Sequence, residues 1–202
     1  MTTVAMVPTG TANTASVKAA FRRLGVTLSE VSAADDVASA DALVLPGVGA
    51  FGAAIAQVDS LGLRRSLQDR IGANRPTLAI CVGMQLLSPA SEESPGARGL
   101  SVIDTPIGRF GLDLIVPQLG WNQVEAAPES RFLESGWAYF ANSFRLGTVP
   151  VGWVGASTEY GGEFVSAMER GHVLACQFHP ELSGQWGARL LARWLKDTGV
   201  TT

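Results

Sequence analysis

The sequence has few cysteines and few histidines, with two of each among 202 residues. A zinc site would need all four of them or help from carboxylates, so we expect no bound metal. A disulfide between Cys81 and Cys176 is possible by number alone. Because the amino terminus lacks the basic region of a signal peptide, however, we expect a cytoplasmic protein whose thiols stay reduced.

Long apolar runs and concentrated positive charge are also absent. The longest apolar stretch, residues 42–56, is interrupted by proline and glycine and is too short to span a bilayer. Lysine and arginine number 15 against 18 acidic residues, and no basic cluster interleaves with aromatic residues. We therefore expect neither a nucleic-acid nor a membrane partner. A composition that is 47% hydrophobic and 16% charged is typical of one compact domain, here residues 1–202.

In the first half of the chain, apolar strands alternate with helical patterns. Apolar runs predict strands at residues 4–7, 26–31, 41–45 and 77–80. The intervening patterns predict helices at residues 14–24, 34–40 and 53–71, the last interrupted near Gly62. Strands separated by helices indicate parallel pairing with right-handed crossovers, so we expect an α/β fold.

The second half is richer in β-branched and aromatic residues separated by turns, which predicts an additional, smaller β-rich portion. Its predicted strands are residues 99–103, 112–116, 121–125, 137–142, 151–158, 164–168 and 173–178. An amphipathic stripe predicts a final helix over residues 183–197 that packs on the sheet. Glu92 and Glu93, adjacent in a polar loop, are interpreted as solvated or hydrogen-bonded loop residues.

An apolar run changes abruptly into a helical pattern at Cys81. Residues 77–80 predict a buried strand and residues 82–87 a helix, so the thiol lies beside free N–H groups and the positive end of a helix dipole, which favour a thiolate. A nucleophile elbow has this arrangement, with the N–H of the next residue aimed at the developing oxyanion. The alternative is that Cys81 is only a buried core residue.

A glycine-rich loop at residues 47–52 spells Gly-x-Gly-x-x-Gly between a strand and a helix. A dinucleotide-binding fold would require an acidic residue at the end of the next strand, about 20 residues further on. Here that strand ends in Cys81. We therefore favour a loop that supplies a second oxyanion donor opposite the elbow.

A cysteine nucleophile needs a base, usually histidine, and the base needs an orienting acceptor. His172 lies in a turn before a strand, which is typical of a surface residue. His179 follows a predicted strand, and chemistry in open α/β sheets gathers at the carboxyl ends of strands. With Glu181 two residues further on, the pattern predicts a Cys81, His179, Glu181 triad. The alternative is a buried structural histidine with a surface glutamate.

Two motifs, Ile-Cys-Val-Gly-Met-Gln-Leu-Leu at residues 80–87 and Gln-Phe-His-Pro-Glu at residues 177–181, resemble those of the class I (triad) glutamine amidotransferases. That family has a flavodoxin-like, open and mostly parallel sheet flanked by helices. Within that family, the sequence over the whole chain most resembles the glutaminase subunits of imidazole glycerol phosphate synthase. The further segments that match are residues 10–13, 16–17, 46–49, 91–96, 120–122 and 139–140.

By this resemblance, Cys81 attacks the side-chain amide of glutamine, His179 protonates the departing ammonia and then activates water, and Glu181 orients His179. The resemblance implies an oxyanion hole formed by Gly47, Val48, Gly49 and Val82. It implies that the amino acid end of glutamine is held by Gln85, Asn142, Ser143 and Phe144. No cofactor is implied.

The resemblance also implies a partner, a separate cyclase subunit with a (β/α)8 barrel of the HisF type, bound as a heterodimer. Ammonia would react there with PRFAR to give imidazole glycerol phosphate and AICAR in histidine biosynthesis. The face that meets the barrel would include Asn13, Gln118, Trp121 and Asn122. Family members commonly have His where Gln118 and Asn142 stand, so the gate at this interface can differ here.

Two alternative functions remain open. One is the glutaminase subunit of another synthase, which makes anthranilate, aminodeoxychorismate or pyridoxal phosphate. The anthranilate and aminodeoxychorismate subunits usually carry His where Met84 stands, and the pyridoxal phosphate glutaminase has a differently built glycine loop. The other alternative is a cysteine hydrolase that needs no partner. Gln85 and the glutamate two residues after His179 favour free glutamine as the substrate instead.

Overall fold

A computed structural model describes residues 4–9, 14–47 and 49–199 of the chain. The strands are β1 (Val4–Met6), β2 (Leu28–Glu30), β3 (Ala42–Leu45), β4 (Thr77–Ile80), β5 (Ile107–Arg109), β6 (Gln118–Ala126), β7 (Gly136–Asn142), β8 (Phe144–Leu146), β9 (Val154–Glu159), β10 (Glu163–Arg170) and β11 (Val173–Cys176). The helices are α1 (Thr14–Arg23), α2 (Ala34–Ser39), α3 (Phe51–Ser60), α4 (Arg64–Gly72), α5 (Val82–Gln85) and α6 (Gly184–Asp197), with a short 3-10 helix at Pro180–Leu182. In these ranges, no helix combines the length and apolar character needed to cross a membrane.

Within the described residues, eleven strands join in one mixed sheet flanked by helices. Five parallel strands form one part, in the order β2-β1-β3-β4-β11, which confirms the predicted α/β arrangement. The order then continues with antiparallel pairing through β10, β9, β6 and β7, and β8 and β5 branch from β10. This antiparallel part is the predicted β-rich second half.

The central parallel strands are covered on both faces. Every residue of β3, β4 and β11 is buried, which explains their continuous apolar sequences. On one flank, Phe21 of α1 meets Trp194 of α6 edge to face, with ring centroids 6.4 Å apart. Because the faces are filled with core residues, the ends of the strands are the places left for chemistry.

Two segments that were predicted as strands, residues 99–103 and 112–116, are irregular. In the first segment, Leu100 is fully buried but donates its N–H to the carbonyl of Leu86, in the turn after α5, rather than to a strand. In the second, Leu112 is 93% exposed and no ladder forms. The short strands β5 and β8 were not predicted, and α5 is a single turn, shorter than expected.

The three central strands bring their carboxyl ends to the same edge. β4 pairs in parallel with β3 on one side and with β11 on the other. Gly47 lies just beyond β3, Cys81 directly after β4, and His179 just beyond β11. The parallel pairing on which the predicted site depends is therefore present.

Candidate active site

Cys81 occupies a tight turn between β4 and α5. Its backbone has φ 52° and ψ −112°, a left-handed conformation that is rare for a residue with a side chain and concentrates at functional sites. The backbone N–H donates to the carbonyl of Cys176 at 2.7 Å, which fixes the turn against β11. The side chain is 4% exposed and lines a cavity at the edge of the sheet.

Two glycines allow the loop after β3 to contact this turn. A Cβ atom on Gly83 would lie 2.0 Å from the carbonyl oxygen of Leu45, and one on Gly47 would lie 2.4 Å from the nitrogen of Gly83. Such distances are far inside van der Waals contact, so close approach of two backbones requires glycine at both positions. The N–H of Val82 donates to the carbonyl of Gly47 at 3.3 Å across the same contact.

His179 is held by contacts on both its backbone and its ring. Its N–H donates to the carbonyl of Tyr139 in β7 at 2.9 Å, and its carbonyl accepts from the hydroxyl of Ser183 at 2.7 Å. Nδ1 lies 2.8 Å from Oε1 of Glu181, and both side chains are 5% exposed. The ring therefore has a fixed orientation, and its second nitrogen, Nε2, remains available to exchange a proton with a ligand.

Opposing effects set the protonation of His179. Burial lowers its pKa, but interactions with the side chains of Cys81 and Glu181 outweigh burial and raise the pKa to about 10. The raised pKa favours the imidazolium form of the ring at neutral pH. Cys176 differs, because burial together with the charges of Glu181 and Glu169 raises the pKa of its thiol well above the ordinary value.

The raised pKa of His179 predicts a pH-dependent stability. The folded protein binds the proton more tightly than the unfolded chain, whose histidine has the ordinary value of 6.5. This contribution is fully present below pH 6.5 and is lost as the pH rises through about 10. Urea unfolding at about pH 6 and about pH 8.5, below the range in which the Cys176 thiol of the unfolded chain ionises, should show a lower free energy of unfolding at the higher pH.

The variant His179→Gln should remove most of this pH dependence. The matched control is His172→Gln, since His172 is a half-exposed histidine bonded to Asp197 outside the cavity. His172→Gln should show the same decrease in the free energy of unfolding between the two pH values as the unaltered protein. If the free energy of unfolding decreased equally in His179→Gln and in the unaltered protein, His179 would not be the source of the pH dependence.

A cavity of about 190 Å³ opens over Cys81. The described residues that line it are Gly49, Cys81, Val82, Gln85, Glu93, Ala141, Asn142, Ser143, Phe144 and His179. Its volume is below the roughly 300–1,000 Å³ of pockets for drug-sized ligands, which favours one small metabolite. The cavity brings together the predicted nucleophile, its base and the residues predicted to bind glutamine.

Side-chain amides form one wall of the cavity. Gln85 donates from Nε2 to the carbonyl of Phe144 at 3.3 Å and to Oε1 of Gln177 at 2.9 Å. Asn142 donates from Nδ2 to the same Phe144 carbonyl at 3.0 Å. The bonds of Gln85 connect α5 to the first residue of β8 and to the residue after β11, and the bond of Asn142 joins the end of β7 to the same β8 residue. Gln177 was not singled out in the sequence analysis, although it belongs to the Gln-Phe-His-Pro-Glu motif.

Glu93 is a second cavity residue that was not predicted. Its Oε2 accepts the N–H of Phe51 at 2.6 Å, at the start of α3, while its neighbour Glu92 accepts the N–H of Arg109. Both glutamates are hydrogen-bonded loop residues, as interpreted from the sequence. Glu93 differs in also lining the cavity, so it can face a ligand.

The residues predicted to meet a partner lie in different environments. Trp121 is 54% exposed, and Asn122 donates from Nδ2 to the carbonyl of Glu159 at 2.9 Å. Gln118 is buried opposite Asn142 in the β6–β7 ladder. In the described part of the chain, neither amide atom of Gln118 has a hydrogen-bond partner. The predicted interface residue Asn13 and the predicted oxyanion residue Val48 fall outside the described residues.

Comparisons with known proteins agree with this arrangement. A model of the family described as glutamine amidotransferase class-I matches residues 6–198. The imidazole glycerol phosphate synthase subunit HisH of Deinococcus radiodurans is 40% identical over 201 residues, which are 96% of this chain and 93% of that protein. The subunit of the same name from Methanothermobacter thermautotrophicus is 38% identical, over 96% of this chain and 98% of that protein.

A longer relative and two solved structures extend the comparison. The chloroplastic imidazole glycerol phosphate synthase hisHF of Arabidopsis thaliana is 37% identical over 95% of this chain, which spans 34% of that protein's length. A crystal structure of a glutamine amidotransferase has a TM-score of 0.78 at 21% identity and covers 98% of this chain and 99% of that one. The structure of PurLQS from Thermotoga maritima has a TM-score of 0.73 at 16% identity, with coverage of 97% and 99%. The structures share the fold, and the family model and sequence relatives carry the assignment: this chain belongs to the class I glutamine amidotransferases.

Proposed function

We propose that this chain is the glutaminase subunit of an imidazole glycerol phosphate synthase and acts as a single domain. It hydrolyses glutamine to glutamate and ammonia and passes the ammonia on for synthesis. The observation that carries this proposal is that Cys81 and His179 line one small cavity, with Glu181 bonded to Nδ1 of His179. Relatives that are 34–40% identical over nearly the whole chain and bear this synthase's name support it.

In the proposed reaction, Cys81 is the nucleophile. Its sulfur attacks the carbonyl carbon of the glutamine side-chain amide, a C–S bond forms, and negative charge develops on the oxygen. The His179 imidazolium donates its proton to the amide nitrogen as the C–N bond breaks, so ammonia leaves and a thioester remains. Water then attacks the thioester while His179 takes a proton from it, and the C–S bond breaks to release glutamate and the thiolate.

We assign Glu181 and the backbone around residues 47–49 to supporting roles. The carboxylate of Glu181 accepts a hydrogen bond from Nδ1–H of His179, so Nε2 is the ring nitrogen that exchanges protons in the reaction. The N–H of Val82 and the glycine loop would hold the oxyanion. In this structure the N–H of Val82 donates to Gly47 over a long 3.3 Å bond. One N–H cannot fully serve both acceptors, so the oxyanion must replace that carbonyl during the reaction.

The amino acid end of glutamine carries one positive and one negative charge. Among the described residues that line the cavity, Glu93 is the only carboxylate, and we assign it to the ammonium group. Gln85 and the segment of Asn142, Ser143 and Phe144 would hold the rest of this end. Free glutamine suits the small volume of the cavity, and its ammonium group suits the charge of Glu93.

We propose that ammonia is delivered to a HisF-type (β/α)8 cyclase subunit, which converts PRFAR to imidazole glycerol phosphate and AICAR. The contact would form on the exposed face of β6, where Leu119 is 69% and Trp121 is 54% exposed. Large exposed apolar side chains that lie together are typical of protein contact surfaces. Asn13 and Asn122 complete the proposed face, while buried Gln118 lies beneath it.

We also propose a cytoplasmic location. The reaction needs Cys81 as a free thiol, and both Cys81 and Cys176 are free cysteines. Reducing compartments such as the cytoplasm keep thiols in this state.

The test of the proposed function is ammonia release from glutamine by the purified chain, alone and with a cognate cyclase and its nucleotide substrate. We expect slow release alone and a rise of about 100-fold when both are present, because coupling between two sites is commonly of that size. Rapid release without a partner would indicate a free-standing cysteine hydrolase. No response to the cyclase would indicate the subunit of another synthase.

Trp121→Ala should weaken binding of the cyclase by about 10- to 100-fold, since a central tryptophan at an interface commonly contributes about 2 kcal/mol or more. Its ring contacts Tyr139 edge to face at 6.3 Å but remains half exposed, so the fold should persist. Isothermal titration calorimetry measures the affinity. Val151→Ala, at an apolar turn residue that is 94% exposed, is the matched control and should bind normally. Equal affinities for both variants would remove Trp121 from the interface.

A further inference from the structure

Gln177 connects the wall of the cavity to the reactive sulfur. Its side chain is completely buried, between the end of β11 and His179. Nε2 donates to Sγ of Cys81 at 3.7 Å, and Oε1 accepts from Nε2 of Gln85 at 2.9 Å. Burying an amide is costly unless its polar atoms are bonded, and here both bonds go to residues of the cavity.

The neighbouring groups determine which way the Gln177 amide points. The carbonyl of Phe144 can only accept, so the Gln85 atom facing it must be the NH₂ group. That same NH₂ group also faces Gln177, which must therefore present its oxygen. The NH₂ group of Gln177 is consequently directed at the sulfur of Cys81. A main-chain carbonyl thus sets the orientation of a donor two side chains away.

We propose that Gln177 is a further catalytic residue of the glutaminase site, which donates a hydrogen bond to the Cys81 sulfur and holds Gln85 in place for the substrate. This inference deepens the proposed function and rests on it. A hydrogen bond to an ionised acceptor is stronger than one to a neutral acceptor, so the contact favours the thiolate over the thiol. The Gln85 oxygen is then the amide atom left to face the ligand.

Several titratable groups surround Cys81. His179 lines the same cavity, with Glu181 behind it, and Glu93 lies on the cavity wall. The thiol of Cys176 is buried on the adjacent strand. Gln177 is an uncharged donor among these groups. Substituting it by glutamate keeps its shape, retains an oxygen that can accept from Gln85, and replaces the N–H donor with a carboxylate oxygen.

The test is the rate of Cys81 alkylation by iodoacetamide as a function of pH, followed by mass spectrometry of the peptide that contains Cys81. Neither glutamine nor a partner is needed. Gln177→Glu should raise the apparent pKa of alkylation by about one unit or more, because a negative group then faces the sulfur. With cyclase and nucleotide present, its kcat should fall about 10-fold or more while KM for glutamine changes less than about threefold.

Gln177→Met is the second variant, since it introduces no charge and remains testable if the glutamate variant does not fold. It lacks both polar atoms, so we expect a smaller rise in the apparent pKa of alkylation together with a higher KM from the release of Gln85. Gln57→Glu makes the same charge change on α3, outside the residues that line the cavity, and should change neither quantity.

An unchanged alkylation profile in the folded Gln177 variants would overturn the inference. That result would leave the proposed function intact, because alkylation does not depend on ammonia release. Conversely, if the chain did not respond to the cyclase, the pH profile of Cys81 alkylation would still show whether Gln177 stabilises the thiolate of Cys81. The two proposals can therefore fail separately.

Discussion

Cys81→Ala is expected to abolish ammonia release from glutamine, lowering kcat by about 10⁴-fold or more even with the cyclase subunit present. The sulfur forms the covalent bond on which both halves of the proposed reaction depend. The second thiol cannot replace it, because Cys176 is fully buried and the pKa of its thiol is raised well above the ordinary value. Ammonia release can be followed by coupling it to glutamate dehydrogenase.

The matched control is Cys176→Ala, which removes the other cysteine and should retain activity. Cys81→Ala should fold, since alanine at position 81 has the same backbone strain at φ 52° that cysteine already has. Loss of activity in Cys81→Ala is therefore a chemical effect, and thermal unfolding can verify the fold. Activity within about tenfold of the unaltered protein would exclude Cys81 as the nucleophile.

The positions of Cys81 and His179 at the ends of strands could be predicted because their signals are local. The strand at residues 77–80 has the predicted bounds, and the change from apolar run to helical pattern places Cys81 at its end. His179 follows another apolar strand in the same way. Parallel strands bring their carboxyl ends to one edge, so the pattern indicated that Cys81 and His179 could meet if their strands run parallel. The structure supplies that condition, because β4 pairs in parallel with β11.

Glu93 and Gln177 could not be assigned in this way because their roles arise from distant contacts. Glu93 accepts from Phe51, 42 residues away in the sequence, and Gln177 donates to Cys81 across 96 residues. A glutamate in a polar loop has the same local signal whether or not it lines a cavity. For Gln177, its place beside His179 in the shared motif was the available signal.

The two incorrectly predicted strands show the limit of hydrophobic pattern. Residues 99–103 are mostly apolar and Leu100 fills the core, yet their backbone pairs with the turn after α5. Residues 112–116 are also mostly apolar, yet Leu112 and Ile115 are largely exposed. Both segments have the composition of strands, but no neighbouring strand is in position to form a ladder with them.

Gly83→Ala is expected to destabilise the protein by about 3 kcal/mol or more and to inactivate it. Gly83 lies in α5, where alanine would otherwise be favoured over glycine by about 1 kcal/mol. The new Cβ would lie 2.0 Å from the carbonyl oxygen of Leu45, a backbone atom of a buried strand that cannot move aside as a flexible side chain could. The steric cost exceeds the gain in helix propensity, so the sign is destabilising.

Gly72→Ala is the matched control, because Gly72 also lies in a helix but a Cβ there would meet no described atom within 4 Å beyond its chain neighbours and the backbone of its own helix. It should be neutral or up to about 1 kcal/mol more stable. Urea midpoints and ammonia release measured on both variants separate a general effect of removing a glycine from the effect of crowding.

Any shift that relieves the clash at Gly83 must move the loop after β3 away from the Cys81 turn, and with it the backbone proposed to hold the oxyanion. If Gly83→Ala were folded and fully active, the close approach of the two backbones would not be needed. Loss of both stability and turnover would show that the geometry of the Cys81 turn depends on its contact with β3.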